Sequence, residues 1–179
     1  MQTPSFKDRQ RALRARYQAE PAAARVTDQA CTRSADPQDP FHFVVEPMEG
    51  SGVHVPVGVH TAVGGVHDAP CPGDIMCAAL AACQDSSIRL VAHLLGVELS
   101  SLSVRVTAEL DVRGALAVEP GVPVGFQSMR CDVHWVPRVG TPPELLDRLR
   151  EGAERCCVVL QTLRQPPPVR TVFHASALS

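Results

Sequence analysis

The sequence predicts an α+β fold in which an antiparallel sheet packs on one long, buried central helix. Three observations carry this. The run from Pro72 to Leu95 is apolar nearly all round in its first half, the pattern of a helix buried at the centre of a fold. Leu102, Val104, Val106, Ala108, Leu110 and Val112 alternate with polar residues, and so do Met129, Cys131, Val133 and Trp135, which is the period of half-buried strands. Leu145, Leu149, Ala153, Cys156, Leu160 and Leu163 mark the apolar face of a second helix. Strands, helix, two strands, helix and a closing strand make an α+β order with helices on antiparallel sheet.

Taken in order, Phe6–Glu20 reads as a short charged helix, because Phe6, Leu13 and Tyr17 recur near multiples of a turn and Pro21 ends the pattern. Residues 1–21 therefore read as an extension and 22–179 as the domain proper. Stretches 22–33 and 41–46 are expected strands, the second rich in Phe and Val, with Asp36-Pro37-Gln38-Asp39-Pro40 the turn between them. Residues 47–72 collect Gly, Pro and three histidines and read as loop, with a strand within Val53–Val59. Pro72-Gly73-Asp74 opens the long helix with Asp74 as its N-cap, and Gly96 is the expected C′ stop. Two amphipathic strands around the loop 114–125 suggest an antiparallel pair. Thr141-Pro142-Pro143-Glu144 signals a helix start with Thr141 as cap, the three prolines from Pro166 stop that helix, and Val169–Ala175 reads as a last strand.

Composition excludes several classes. A net charge of −2 leaves no nucleic-acid footprint. No stretch is an uninterrupted apolar run of the ~18–20 residues a membrane span needs. Met1–Glu20 carries basic residues without an apolar core, so no secretory signal is expected there. Seven cysteines without a compact disulfide pattern point to a reducing, cytoplasmic setting with free, metal-bound or redox-active thiols.

The thiols divide by their surroundings. Cys71, Cys77 and Cys83 are spaced by six, unlike a zinc knuckle, and Cys77 and Cys83 lie about 600° apart on a helix, on different faces. His54, His60 and His67 sit in a loop without an accompanying acidic cluster and read as loop histidines. Cys131 points inward on its strand, Cys77 reads as packing, and Cys31 shows no partner. Cys83 differs, because Gln84-Asp85-Ser86-Ser87 interrupts the apolar run and sets polar groups beside the thiol, the kind of setting that tunes thiol reactivity. Cys156-Cys157 forms a second thiol site on the other helix, and helical phase leaves open which of the two faces a distant partner.

Pro72, the acidic residue after it, the Ala/Leu-rich helix and Ala81-Ala82-Cys83 resemble the peroxidatic-cysteine helix of the OsmC/Ohr family of hydroperoxide reductases. Leu94-Leu95-Gly96-Val97-Glu98-Leu99, Leu110-Asp111-Val112-Arg113-Gly114 and the segment Ala153–Leu163 around the second thiols extend the resemblance over about residues 60–170. The resemblance implies the OsmC-like fold and an intertwined homodimer with its site at the subunit boundary. It implies Cys83 as the peroxidatic cysteine, Cys157 as the resolving one, and Asp74 with an arginine, Arg25 or Arg33, as the charged partners of the thiolate. The resemblance leaves open which of the two it is, and Arg25 is taken as the candidate. The implied chemistry is reduction of organic hydroperoxides through sulfenic acid and disulfide, with an external dithiol as reductant and no metal or organic cofactor. The alternative is a catalytically weak homodimer of the same fold that binds a small molecule or senses redox state. Val158 stands where the family has proline, so the second helix is expected to be less kinked there.

Overall fold

The computed structural model describes residues 5–175. Its elements are α1 (Phe6–Ala19), β1 (Cys31–Arg33), β2 (Phe43–Glu46), β3 (Val55–Val57), α2 (Pro72–Leu95), β4 (Leu99–Glu109), α3 (Val112–Ala115), β5 (Ser128–Pro137), α4 (Pro143–Cys156) and α5 (Val158–Arg164), with short 3-10 turns at Pro21–Ala24 and Thr61–Val63. The mixed α+β architecture is thus as expected. The chain forms two compact units, one of residues up to Met76 with Glu109–Ser128, the other of Cys77–Ala108 with the segment from Met129 onward.

In the first unit, β1, β2 and β3 form an antiparallel sheet in that order, with Cys31 opposite Glu46 and Val45 opposite Val55. The expected strand over 22–33 is only its last three residues. Pro21 at the start of an alanine run favours a 3-10 turn instead, and extended pairing begins where β2 supplies partners. Val53–Val59 contains the short β3.

In the second unit, β4 and β5 pair. Arg138 N–H bonds to Glu98 C=O (2.9 Å) and Ser100 Oγ donates to Val136 C=O (3.0 Å), a register in which the strands run in opposite directions. Their inward residues Leu99, Leu102, Val104, Val133 and Trp135 pack on a core of Ile88 and Ala92 from α2, Val97, and Leu149 and Ala153 from α4. The helix-on-sheet packing expected from the pattern is therefore present in this unit. The long helix ends as its sequence dictates. Gly96 takes φ +74°, Val97 N–H bonds back to Ala92 C=O (2.9 Å) and Gly96 N–H to His93 C=O, while Val97 tucks into the core.

Four expectations need correction. The first half of α2 is not buried all round: Leu80 is, but Met76 is 43 % exposed and Ala78, Ala79 and Ala82 face outward. The outward face has no cover from this chain among the described residues. By length and composition α2 is also long and apolar enough to cross a membrane, although charged Asp85 and Arg89 pair on its surface and its second half lies in the core of the unit. Second, the alternation through Val112 outruns the strand. Asp111 accepts from Arg113 N–H and turns the chain into α3. Third, Pro142 rather than Thr141 precedes α4, because the Thr141 hydroxyl donates to Arg138 C=O. Fourth, Val169–Ala175 forms no strand. Three prolines remove ladder donors just before it, and Phe173 is 92 % exposed.

Gly152 has a packing role that its place inside a helix conceals. A Cβ there would lie 2.9 Å from Val91 Cγ1 on α2. Gly152→Ala gains about 1 kcal/mol of helix propensity but overpacks a stiff β-branched neighbour at a cost of ~1–3 kcal/mol. A net loss of stability, read as a lower urea midpoint with unchanged slope, is the expected outcome.

Candidate active site

The second unit brings two thiols together. Cys83 lies in the middle of α2, half-buried, and Cys157 is completely buried at the junction of α4 and α5. The two thiols lie close enough to interact electrostatically, and the hydroxyl of Ser87, one turn after Cys83 on α2, acts on Cys157 as well. Of the adjacent pair it is thus the buried Cys157 that interacts with Cys83, while Cys156 is exposed.

The junction is built by a break in the helix. Cys157 has φ −75° and ψ 100°, so α4 stops at Cys156 and α5 begins at Val158. This corrects the expectation of an apolar face running through one helix to Leu163, with less of a kink for want of proline. Two free backbone groups explain how the break is held. In a continuous helix Glu154 C=O would accept from Val158 N–H; here the Gln161 side-chain amide donates to it instead (2.8 Å). Val159 N–H, likewise released from the ladder, points at Cys83 Sγ (3.5 Å). The break therefore gives the Cys83 sulfur a backbone donor suited to negative charge, and a side chain restores what the backbone lost.

Burial pushes the Cys157 thiol above its ordinary value; the neighbouring Cys83 adds to this, against donors from the Leu160 backbone and Ser87. Cys157 thus stays a thiol at neutral pH. Its folded value is raised, so its contribution to stability is complete below the unfolded thiol value and is lost as pH rises through the folded one. Two results are expected: slow alkylation of Cys157 that accelerates only in alkali, and a urea midpoint that, as pH rises through and above the ordinary thiol range, falls less in Cys157→Ala than in the parent.

The polar turn after Cys83 behaves as its position suggested, in part. Ser87 and Gln84 are buried, whereas Asp85 is held by Arg89 on the surface. Ser87 serves Cys157 rather than Cys83. Its signal was its place four residues from Cys83, on the same helical face. Gln161 and Val159 N–H carried no sequence signal, because their roles exist only once the helix is broken.

The charged residues assigned with these thiols are described within the first unit. Asp74 is not the N-cap but sits inside the first turn of α2. Its Oδ2 accepts from Cys71 N–H (2.9 Å) and from His67 Nε2 (2.8 Å), and its carboxyl is held down to about 2, first by His67 and then by the Cys71 N–H and thiol. Arg25 is exposed at the end of the 3-10 turn, its N–H bonded to Ala22 C=O. Arg33 pairs with Glu46 (3.6 Å), a carboxylate only 3 % exposed that also accepts from Gly52 N–H and the Cys31 thiol. Cys31 thus has a partner that sequence did not show, supplied by the β1–β2 register.

Comparison with known proteins speaks for the family and the fold. A family described as OsmC-like protein matches residues 65–172. Among solved structures, an OsmC-like protein from Mycoplasma pneumoniae is 12 % identical, with 79 % of this chain and 89 % of that one covered at a TM-score of 0.59. An organic hydroperoxide resistance protein from Elizabethkingia anophelis is 19 % identical over 80 % of this chain and 91 % of that one (TM-score 0.57). Another from Legionella pneumophila is 20 % identical over 79 % and 92 % (TM-score 0.56). No curated protein matches the chain. At these identities the structural likeness speaks for the fold.

Proposed function

The chain belongs to the OsmC-like family, and from that premise we propose that it is a thiol-dependent peroxidase that reduces organic hydroperoxides. The observation that carries the reading is the Cys83–Cys157 thiol pair, with Val159 N–H on the Cys83 sulfur. The organic hydroperoxide resistance proteins from Elizabethkingia anophelis and Legionella pneumophila, with the same fold, support it.

The steps balance without a metal or organic cofactor. The Cys83 thiolate attacks the distal oxygen of ROOH; the O–O bond breaks, ROH leaves with a proton, and Cys83 becomes a sulfenic acid. The Cys157 sulfur then attacks that sulfur, expelling water and forming a disulfide. An external dithiol exchanges with the disulfide, returns both thiols and is itself oxidised. Asp74 and Arg25 remain in the proposal as the thiolate's charged partners, on the resemblance alone. Replacing Arg25 and Arg33 by alanine in turn decides between the arginines through the rate of the first oxidation.

A homodimer in a reducing cytoplasm belongs to the same proposal. The outward apolar face of α2 at Met76, Ala78, Ala79 and Ala82 favours a second copy as its cover. Sedimentation at micromolar concentration should give twice the chain mass. The activity is tested by following cumene hydroperoxide consumption with a dithiol reductant. A protein that bridges its cysteines but does not consume peroxide catalytically would be a redox sensor instead.

A further inference from the structure

The described residues hold a second constellation of ligand-type groups, in the loop that leads into α2. The His67 Nε2, the Cys71 Sγ and a carboxylate oxygen of Asp74 all lie within 4.8 Å of one another. In the sequence the loop histidines stand apart from any acidic cluster. The fold removes that separation by bringing His67, seven residues before Asp74, onto its carboxylate.

The geometry points to a binding site for a single divalent transition ion of the zinc class, held by His67, Cys71 and Asp74 with one position open to solvent. Asp74 already collects the His67 ring N–H and the Cys71 N–H, and the Cys71 sulfur lies within 4.8 Å of it, so protons now occupy the space between three donors. An ion would take their place. Nitrogen, sulfur and oxygen together suit Zn2+ and its neighbours rather than Mg2+ or Ca2+, which favour oxygen alone. The tetrahedral edge between nitrogen and oxygen ligands is ~3.3 Å for bonds of ~2.0 Å, so the present 2.8 Å between His67 and Asp74 has to open by about half an ångström. Both side chains are partly exposed and free to do so.

Charge and protons balance. Zn2+ joins one carboxylate, one thiolate and one neutral imidazole, which makes a neutral site and releases the Cys71 proton. The His67 proton moves from Nε2 to Nδ1. That neutrality answers the objection that a helix N-terminus repels cations. His60 is not a fourth ligand. Its Nδ1 accepts from Ala62 N–H (3.0 Å), which leaves the proton on Nε2, and its ring lies against His67 with centroids 4.4 Å apart. It fixes the orientation of the His67 ring instead.

The test uses the full chain with Cys83→Ser and Cys157→Ser, so that the other thiol pair does not bind the probe. Titration with Co2+ should give a thiolate-to-cobalt absorption band in the near ultraviolet that saturates at one equivalent and is displaced by Zn2+. Cys71→Ser should abolish the band, and His67→Gln should weaken binding roughly tenfold or more. Zn2+ should also protect Cys71, but not the exposed Cys156, from iodoacetamide, as read by mass spectrometry. Absence of the band in the parent, a band of equal strength in Cys71→Ser, or equal protection of both cysteines overturns the proposal. Asp74 is common to both readings, but the variants here change only His67 and Cys71, which have no part in the peroxidase proposal, so the two readings fail separately.

Discussion

Cys83→Ser should lower hydroperoxide turnover by roughly a thousandfold or more, since serine at this position is neither a ready nucleophile nor able to carry the oxidising equivalent. Cys157→Ser should behave differently. Its first equivalent of peroxide is still consumed, because Cys83 remains and the Val159 N–H still points at its sulfur. The sulfenic acid then has no partner within reach, so multiple turnover falls by roughly tenfold or more and excess peroxide drives Cys83 to sulfinic acid. Cys156→Ser should leave turnover near the parent value, because Cys156 is exposed and Cys157 is the thiol that interacts with Cys83. Stopped-flow consumption of peroxide by the three variants gives all these numbers. Equal burst and steady-state rates in Cys157→Ser would remove Cys157 from the cycle.

Proline substitutions on either side of the helix break should differ by about 3 kcal/mol although they are only three residues apart. At Val158 the first position of α5 needs no helical N–H, since Glu154 C=O is already served by Gln161. The preceding residue must be extended, and Cys157 already is, at φ −75° and ψ 100°. Val158 is also 71 % exposed, so little packing is lost. Val158→Pro should therefore stay within about 0.5 kcal/mol of the parent. At Arg155, inside α4, proline removes a ladder bond and meets the carbonyl one turn back, at a cost of ~3 kcal/mol or more. Urea unfolding of the two variants measures the difference. A loss of ~3 kcal/mol at both positions would mean that the helix is continuous through Cys157.

What the sequence disclosed follows from which forces are local. The stop of α2 at Gly96 is chemistry of adjacent residues and was legible, whereas the helix starts at Pro72, before the expected cap Asp74. The β4–β5 pair was legible because its alternation is the imprint of one buried face. The break at Cys157 was not legible. It depends on Gln161 reaching Glu154 and on Cys83 taking a backbone donor from 76 residues away. For the same reason Val169–Ala175 misled: strand-forming residues make no strand without a partner. Cys31 and Glu46 meet through sheet register, and His67 and Asp74 through loop closure. The pairing of Cys83 with the second thiol helix came from family resemblance, and the choice of Cys157 over Cys156 gains its physical reason from the break.

The most direct measurement of the central claim is peptide mass spectrometry of the reduced protein after one equivalent of an organic hydroperoxide, quenched with an alkylating agent. The account predicts a single cross-linked peptide pair joining Cys83 to Cys157, with Cys156 alkylated and free. A Cys83 recovered as sulfinic acid with Cys157 still alkylatable, or a bridge that joins Cys83 to Cys156, would contradict it.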